Sequence, residues 1–163
     1  MKNLKLVFIL FLLVFALINA QSKTSKSKTG VKTPQAEQSI PAPPPATDGV
    51  FIQLSSGFEN PQKVLMALTM AVKMADDHEV YVYLDINAVN IVLSSAKSIE
   101  LPKYEASKIL ISKLIDKNVT VAVCPTCLEV ANHTKFELMK GITFASKDDF
   151  FSFTKGRILS FSY

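Results

Sequence analysis

The chain of 163 residues has little of several things that would point directly to a function. It has two cysteines, which excludes a small scaffold held together by several disulfides. It has five glycines and no Gly-rich loop followed by Gly-Lys-Ser or Gly-Lys-Thr, which excludes that kind of phosphate-binding loop. Its longest apolar run, residues 6–18, is too short to span a bilayer comfortably. What is present is a composition that is 48% hydrophobic, as in a folded protein.

Excess positive charge is also missing from most of the chain, although the whole sequence has a formal net charge of +4. Residues 1–48 hold six lysines and two acidic residues, whereas residues 49–163 hold twelve basic and twelve acidic residues. The longer part therefore has no basic excess, and its aromatic and basic residues are not interleaved. We expect no nucleic-acid partner.

The first twenty residues have the pattern of a secretory signal peptide. Lys2 and Lys5 begin the segment, the apolar run follows, and Ala20 supplies a small residue at the position of cleavage. We predict a signal peptide at 1–20, export to the periplasm or to the outside of the cell, and no stable membrane span after cleavage. An uncleaved N-terminal anchor is the alternative.

Residues 21–48 are predicted to form a disordered linker rich in Lys, Ser and Pro. Five prolines, at positions 34, 41, 43, 44 and 45, block helices and strand ladders, and the segment has little apolar surface to bury. Residues 49–163 remain, and they are enough for one compact domain.

Short runs of β-branched and aromatic residues in this domain predict strands at 50–54, 79–84, 119–123, 142–144 and 157–161. Apolar spacing predicts helices at 61–76 and 101–116, the second through Ile109, Leu110, Leu114 and Ile115. Asn60-Pro61 has the form of an N-cap followed by proline at the first helical position. Shorter helices are predicted from Pro125 and over 147–154. Strands that alternate with helices predict an α/β fold with a mainly parallel sheet and helices on both faces.

Both cysteines fall in one motif at the junction of a strand and a helix, Cys124-Pro125-Thr126-Cys127. In a parallel sheet, functional groups collect at the carboxyl ends of the strands. With Pro125 at the first helical position, Cys124 is expected at the N-cap, where free backbone N–H groups favour an anion. Such a position lowers the pKa of a thiol, so Cys124 is the predicted nucleophile. Cys127, one turn further along, is close enough to form a disulfide with it.

Two other interpretations of the motif stay open. The cysteines could form a static structural disulfide, although a loop closed over so few residues gains little stability. A metal site would need more ligands than one such motif supplies, because His133 lies six residues after Cys127 and His78 is remote. We expect no bound metal and no cofactor.

In their order along the chain, several segments resemble the DsrE/DsrF-like family, which is also called YchN-like. These segments are Leu54-Ser-Ser-Gly-Phe-Glu-Asn-Pro61, the helix around Ala67-Leu68, the strand 80–84 with the following Ala88-Val89, Val121-Ala-Val-Cys124-Pro-Thr-Cys127, and Gly141-Ile-Thr-Phe-Ala-Ser146. The resemblance covers residues 49–163. It implies a three-layer α/β/α domain with a five-stranded parallel sheet, assembled as a homo-oligomer, either a trimer or a hexamer.

In the sulfur-relay members of this family, a cysteine at the position matched by Cys124 carries a persulfide that is handed from protein to protein. The resemblance therefore implies a sulfurtransferase-like sulfur carrier in which Cys124 accepts sulfane sulfur. The signal peptide adds the expectation that this carrier is exported, and the spacing of Cys127, which is not part of the family's relay pattern, makes it the expected resolving thiol. Its partners would be a sulfur donor and a sulfur acceptor. Two other functions remain open: a thiol–disulfide redox partner that uses both cysteines, and a non-enzymatic binding or assembly module with a passive disulfide.

Overall fold

The structure is a computed structural model, and it describes residues 46–163. The predicted signal peptide and almost all of the predicted linker lie outside the described residues. Thr47 and Asp48, at the end of the predicted linker, contact the domain. The Thr154 hydroxyl donates to the carbonyl oxygen of Thr47 at 2.5 Å, and Asp48 forms an ion pair with Arg157. Among the described helices, none is long and apolar enough to cross a membrane.

The described residues form five strands with α-helices and two 3-10 helices between them. In chain order the elements are β1 (Gly49–Leu54), α1 (Pro61–Met74), β2 (Glu79–Leu84), a first 3-10 helix (Ile86–Val92), α2 (Ser107–Asp116), β3 (Thr120–Val123), α3 (Pro125–Val130), a second 3-10 helix (Lys135–Glu137), β4 (Thr143–Phe144), α4 (Asp149–Ser152) and β5 (Ile158–Ser162).

The strands form one parallel sheet in the order β4-β3-β2-β1-β5. The parallel five-stranded sheet and the α/β fold predicted from the sequence are therefore confirmed. Helices α1 and α2 pack against each other and against β1, β2 and β3. Because parallel crossovers are right-handed, the connection from β4 back to β5 carries α4 across the opposite face of the sheet. The opposite face is therefore covered by α4, which is much shorter than α1 and α2.

The main core lies between the sheet and the helices α1 and α2. Val50, Ile52 and Leu54 of β1 are fully or almost fully buried, and alternate residues of β1 point to the other face. In α1 the buried residues, Val64, Leu65, Ala67, Leu68 and Ala71, recur at helical spacing. Asn60 caps this helix as expected, because its side chain accepts a hydrogen bond from the backbone N–H of Lys63 at 3.2 Å.

The predicted helix at 101–116 begins six residues later than expected, at Ser107. Lys103 has a φ of 70°, which a right-handed helix cannot continue, and Leu101 and Tyr104 pack against the core from a loop. The predicted face of this helix was also partly wrong. Ile109 is 51% exposed, whereas Ile111, two residues later, is fully buried.

Aromatic side chains cover the second face of the sheet. Phe150 of α4 packs edge-on against Phe51, Tyr81 and Tyr83, with ring centroids 5.1 to 5.8 Å apart. Helix α4 is shorter than the predicted 147–154 and has Asp148 as its N-cap, but Ser146 and Asp149 form the reciprocal pair of hydrogen bonds that their spacing predicts. One of these aromatic residues, Tyr83, lies close to the carboxyl end of β2.

Candidate functional site

The carboxyl ends of three neighbouring strands, β1, β2 and β3, lie side by side. The last residues of β1, β2 and β3 are paired, Leu54 with Leu84 and Leu84 with Val123. Backbone hydrogen bonds continue this ladder by one residue, from Asp85 N–H to the Leu54 carbonyl at 3.1 Å and from Cys124 N–H to the Leu84 carbonyl at 2.8 Å. The next residues, Ser55, Asp85 and Cys124, therefore lie beside one another on the face that carries Tyr83.

Cys124 is the N-cap of α3, the position expected from the sequence, with Pro125 at the first helical position. Its backbone is extended, with φ −64° and ψ 116°, and its sulfur accepts a hydrogen bond from the N–H of Cys127 at 3.4 Å. Both cysteines are free thiols and both are half-buried. The structure thus brings the two predicted site residues together at the end of β3.

The two thiols have pKa values shifted in opposite directions. Burial raises the pKa of Cys124, but hydrogen bonds from the Cys127 thiol, the Tyr83 hydroxyl and the N–H groups of Cys127 and Thr126 outweigh it, and the pKa lies below its ordinary value. Burial, the hydrogen bond to Cys124 and the nearby charges of Cys124 and Asp85 raise the pKa of Cys127, against a lowering by the N–H of Ile86. Cys124 is therefore the better nucleophile and Cys127 stays protonated beside it.

The sequence did not single out Tyr83 as a residue of this site. Burial is the main cause that raises the pKa of Tyr83, and its hydrogen bond to Cys124 raises the pKa further. The phenol therefore remains a hydrogen-bond donor. Its ring is held between Phe51 and Phe150. A signal was present: Tyr81, Tyr83 and Asp85 alternate with the buried aliphatic residues of β2, which places them on the opposite face of the sheet.

Asp85 is the second residue that the sequence did not assign to the site. It is 9% exposed, and its two carboxylate oxygens accept hydrogen bonds from Ser55 Oγ at 2.5 Å and from Gln53 Nε2 at 2.7 Å. Gln53 is itself fixed by the Ser162 hydroxyl, which donates to its Oε1 at 3.2 Å. The carboxylate of Asp85 is therefore held in place by side chains at the end of β1. Asp85 itself follows β2, the strand next to β3, at whose end the cysteines lie.

The histidines form separate pairs with neighbouring carboxylates. His78 Nδ1 lies 2.6 Å from Asp77 Oδ1, and His133 Nδ1 lies 2.9 Å from Glu137 Oε1. Within residues 46–163, no group of three or more His, Cys, Asp or Glu side chains is arranged to hold a metal ion. The chemistry available at the described site is that of two thiols, a phenol and a carboxylate.

Comparison with known proteins bears on the fold. No protein-family model and no curated protein matches the sequence. Among solved structures, the YchN protein from E. coli superposes with a TM-score of 0.58 at 17% identity, over 71% of this chain and 99% of YchN. The chain has a YchN-like fold. MTH1491 from Methanobacterium thermoautotrophicum, a protein of unknown function, superposes with a TM-score of 0.51 at 15% identity, over 70% of this chain and 98% of MTH1491.

The fold implied by the resemblance to the YchN-like family is therefore confirmed. Because a fold supports many functions, the function of this YchN-like domain has to be argued from its own residues.

Proposed function

We propose that the chain is an exported sulfur-handling protein, in which Cys124 accepts and relays sulfane sulfur as a persulfide and Cys127 is the resolving thiol. The observation that carries the proposal is the environment of the Cys124 sulfur at the end of β3. It accepts a hydrogen bond from the backbone N–H of Cys127 at 3.4 Å, and its pKa lies below the ordinary value because this N–H, the Cys127 thiol and the Tyr83 hydroxyl together outweigh burial. A thiolate in such a place is a nucleophile suited to attack sulfur.

The transfer balances without an added oxidant or reductant. The Cys124 thiolate attacks the outer sulfur of a donor persulfide, the donor's S–S bond breaks, a new S–S bond forms on Cys124, and the donor leaves as a thiolate. If Cys127 then attacks the inner sulfur, sulfide leaves and the two cysteines form a disulfide. In that second step the cysteines lose two electrons to the departing sulfur, so a thiol reductant is needed to restore them.

Export and assembly belong to the same proposal. Export rests on the charged start, apolar run and small residue of segment 1–20. Mass spectrometry of the chain recovered outside the cytoplasm should find a first residue of Gln21. A homo-oligomer, trimeric or hexameric, rests on the resemblance to the YchN-like family, and light scattering of the purified chain measures it directly.

The test of sulfur acceptance is the intact mass of the reduced protein after incubation with inorganic polysulfide. The Cys127→Ser variant should gain one sulfur atom on Cys124, because the resolving thiol is absent. The wild type should pass on to a disulfide and release sulfide. Cys124→Ser should gain none. No added sulfur on Cys127→Ser, or equal addition to Cys124→Ser, would contradict the proposal.

A thiol–disulfide redox partner is the second candidate function, and the opposite pKa shifts of the two cysteines favour it. Exchange with dithiol proteins distinguishes it from the first. A redox partner would show a Cys124–Cys127 disulfide that exchanges with such proteins, and its Cys127→Ser variant would trap one of them on Cys124 as a mixed disulfide, whereas the sulfur carrier would trap none. Normal function of a Cys124→Ser/Cys127→Ser double variant would exclude both and leave a binding or assembly module.

A further inference from the structure

Cys127, rather than Cys124, opens onto a cavity of about 520 Å³ next to the cysteine pair. This size is within the range of small-molecule sites. Its lining combines amide and hydroxyl groups with apolar side chains, namely Asn87, Asn90 and Thr126 with Ile86 and Val130. Among the described residues that line it, none is charged. The cavity therefore suits an uncharged part of a molecule that has hydrogen-bonding groups, with a sulfur atom at the Cys127 end.

A second cavity, of about 680 Å³, shares the lining residue Asn90 with the first. Its lining is mostly apolar, including Phe58, Leu93 and Ile99, and Lys97 is the one charged residue among the described residues that line it. Asn90 is fixed at the junction, because its Nδ2 donates to the Asn87 carbonyl at 3.1 Å. Its Oδ1 is then left to accept a hydrogen bond from a ligand. The two cavities together, which we call the Asn90 groove, run from Cys127 to Lys97.

We propose that the Asn90 groove binds a low-molecular-weight, amide-linked thiol or its persulfide, with the sulfur at Cys127 and a negatively charged end near Lys97. The inference rests on the proposed function, since it names the class of sulfur donor or acceptor for Cys124. A purely inorganic polysulfide would need none of these lining groups. An amide-linked thiol matches all three parts of the groove, which are a sulfur end, a neutral amide stretch and a cationic end.

The reaction in the groove is a reversible sulfur exchange. The Cys124 thiolate takes the outer sulfur of the bound persulfide R–S–SH, one S–S bond breaks, one forms, and R–S⁻ remains in the groove. In the other direction, a bound R–S⁻ takes the outer sulfur from Cys124. Atoms and electrons balance either way. Cys124 is close to the groove, because its sulfur accepts a hydrogen bond at 3.4 Å from the backbone N–H of Cys127, and Cys127 lines the groove.

Binding is tested with a probe that cannot exchange sulfur, S-methylglutathione. It is titrated into the reduced full chain while amide signals are followed by NMR. Saturable changes are expected at Asn87, Asn90, Thr126 and Cys127. Val130→Trp, at a position that is 77% exposed, narrows the groove without touching the core and should weaken binding at least about tenfold. Phe136→Trp, at a position that is 97% exposed and outside the groove, is the matched control and should bind like wild type.

Charge recognition has its own variant. Lys97→Gln should weaken binding of S-methylglutathione by roughly two- to fivefold, because an exposed ion pair contributes little. No saturable binding by the wild type, changes confined to other residues, or equal affinity of wild type and Val130→Trp would overturn the groove.

A second measurement separates this inference from the proposed function. The rate of sulfur addition to Cys124 from glutathione persulfide is divided by the rate from inorganic polysulfide. The ratio should fall in Val130→Trp and stay constant in Phe136→Trp, and a ratio that does not fall in Val130→Trp overturns the groove as the donor site. If neither donor adds sulfur to Cys127→Ser and neither converts the wild type to the Cys124–Cys127 disulfide, the proposed function fails, whereas binding of S-methylglutathione still decides whether the groove is a ligand site.

Discussion

Replacing Tyr83 with phenylalanine should make Cys124 less reactive at neutral pH. Burial raises the pKa of Cys124, and the hydrogen bond from the Tyr83 hydroxyl is one of those that bring it below its ordinary value. The substitution removes that hydroxyl and keeps the ring, which packs against Phe51 and Phe150. The aromatic layer of the sheet is therefore preserved while one donor to the thiolate is lost.

The size of the effect follows from the energy of one hydrogen bond to a charged group. Such a bond contributes about 1.5–3 kcal/mol, and we take about 1 kcal/mol here because the sulfur is partly exposed. A loss of about 1 kcal/mol corresponds to a roughly fivefold smaller fraction of thiolate at a pH below the pKa. The rate of alkylation of Cys124 should therefore fall roughly fivefold, and its rise with pH should move to higher pH.

The assay is alkylation by iodoacetamide at a series of pH values, with the modified cysteine identified by peptide mass spectrometry. Tyr81→Phe is the matched control. Tyr81 lies two residues earlier on the same face, is 1% exposed, and its hydroxyl has no hydrogen-bond partner among the described residues. Its removal should leave the rate unchanged. Equal rates for Tyr83→Phe and wild type, or an equal loss in Tyr81→Phe, would refute the role of Tyr83.

Three further predictions concern stability. In urea denaturation, Ile111→Ala should lower the free energy of unfolding by about 2–5 kcal/mol because Ile111 is fully buried, and Ile109→Ala should cost under about 1 kcal/mol; equal losses would contradict the orientation of α2. Asp85→Asn should cost about 1–3 kcal/mol in the same assay, because an amide offers one oxygen to the two donors that the carboxylate accepts, and unchanged stability would contradict that network. Closing the disulfide removes the hydrogen-bonded Cys124 thiolate, so the oxidised protein should melt at a lower temperature than the reduced one. The thiolate's contribution to the stability of the reduced protein is complete above the ordinary thiol pKa and is lost as pH falls through the lowered pKa of Cys124. The difference in melting temperature should therefore shrink at acid pH. A higher melting temperature for the oxidised form would contradict the reasoning.

The parts of the fold that could be predicted from the sequence are those decided by a few neighbouring residues. Asn60-Pro61 and Cys124-Pro125 each combine a capping side chain with a proline whose missing N–H is not needed at the first helical position. Strand β2 was placed correctly because five β-branched, aromatic and aliphatic residues lie between Glu79 and Asp85. In each case the signal and the structure lie within one short segment.

Other parts could not be predicted because they depend on distant contacts. The 3-10 helix Ile86–Val92 buries Ala88, Val89, Ile91 and Val92, whose helical spacing extends over too few residues to identify a helix from the sequence. Tyr83 and Asp85 join Cys124 only through the pairing register of β2 with β3, which a single sequence does not reveal. The sequence therefore identified the thiols of the candidate site but not the groups that change their pKa values.

The side-by-side ends of β1, β2 and β3 have a consequence for the kinetics of any reaction at Cys124. The separations of Ser55, Asp85 and Cys124 are set by the spacing of paired strands, so the cost in entropy of assembling them is met when the sheet forms. The dipoles around the sulfur then need little reorientation as negative charge appears or leaves. The barrier to sulfur chemistry here should have a small reorganisation energy, and its height should depend mainly on the identity of the incoming molecule.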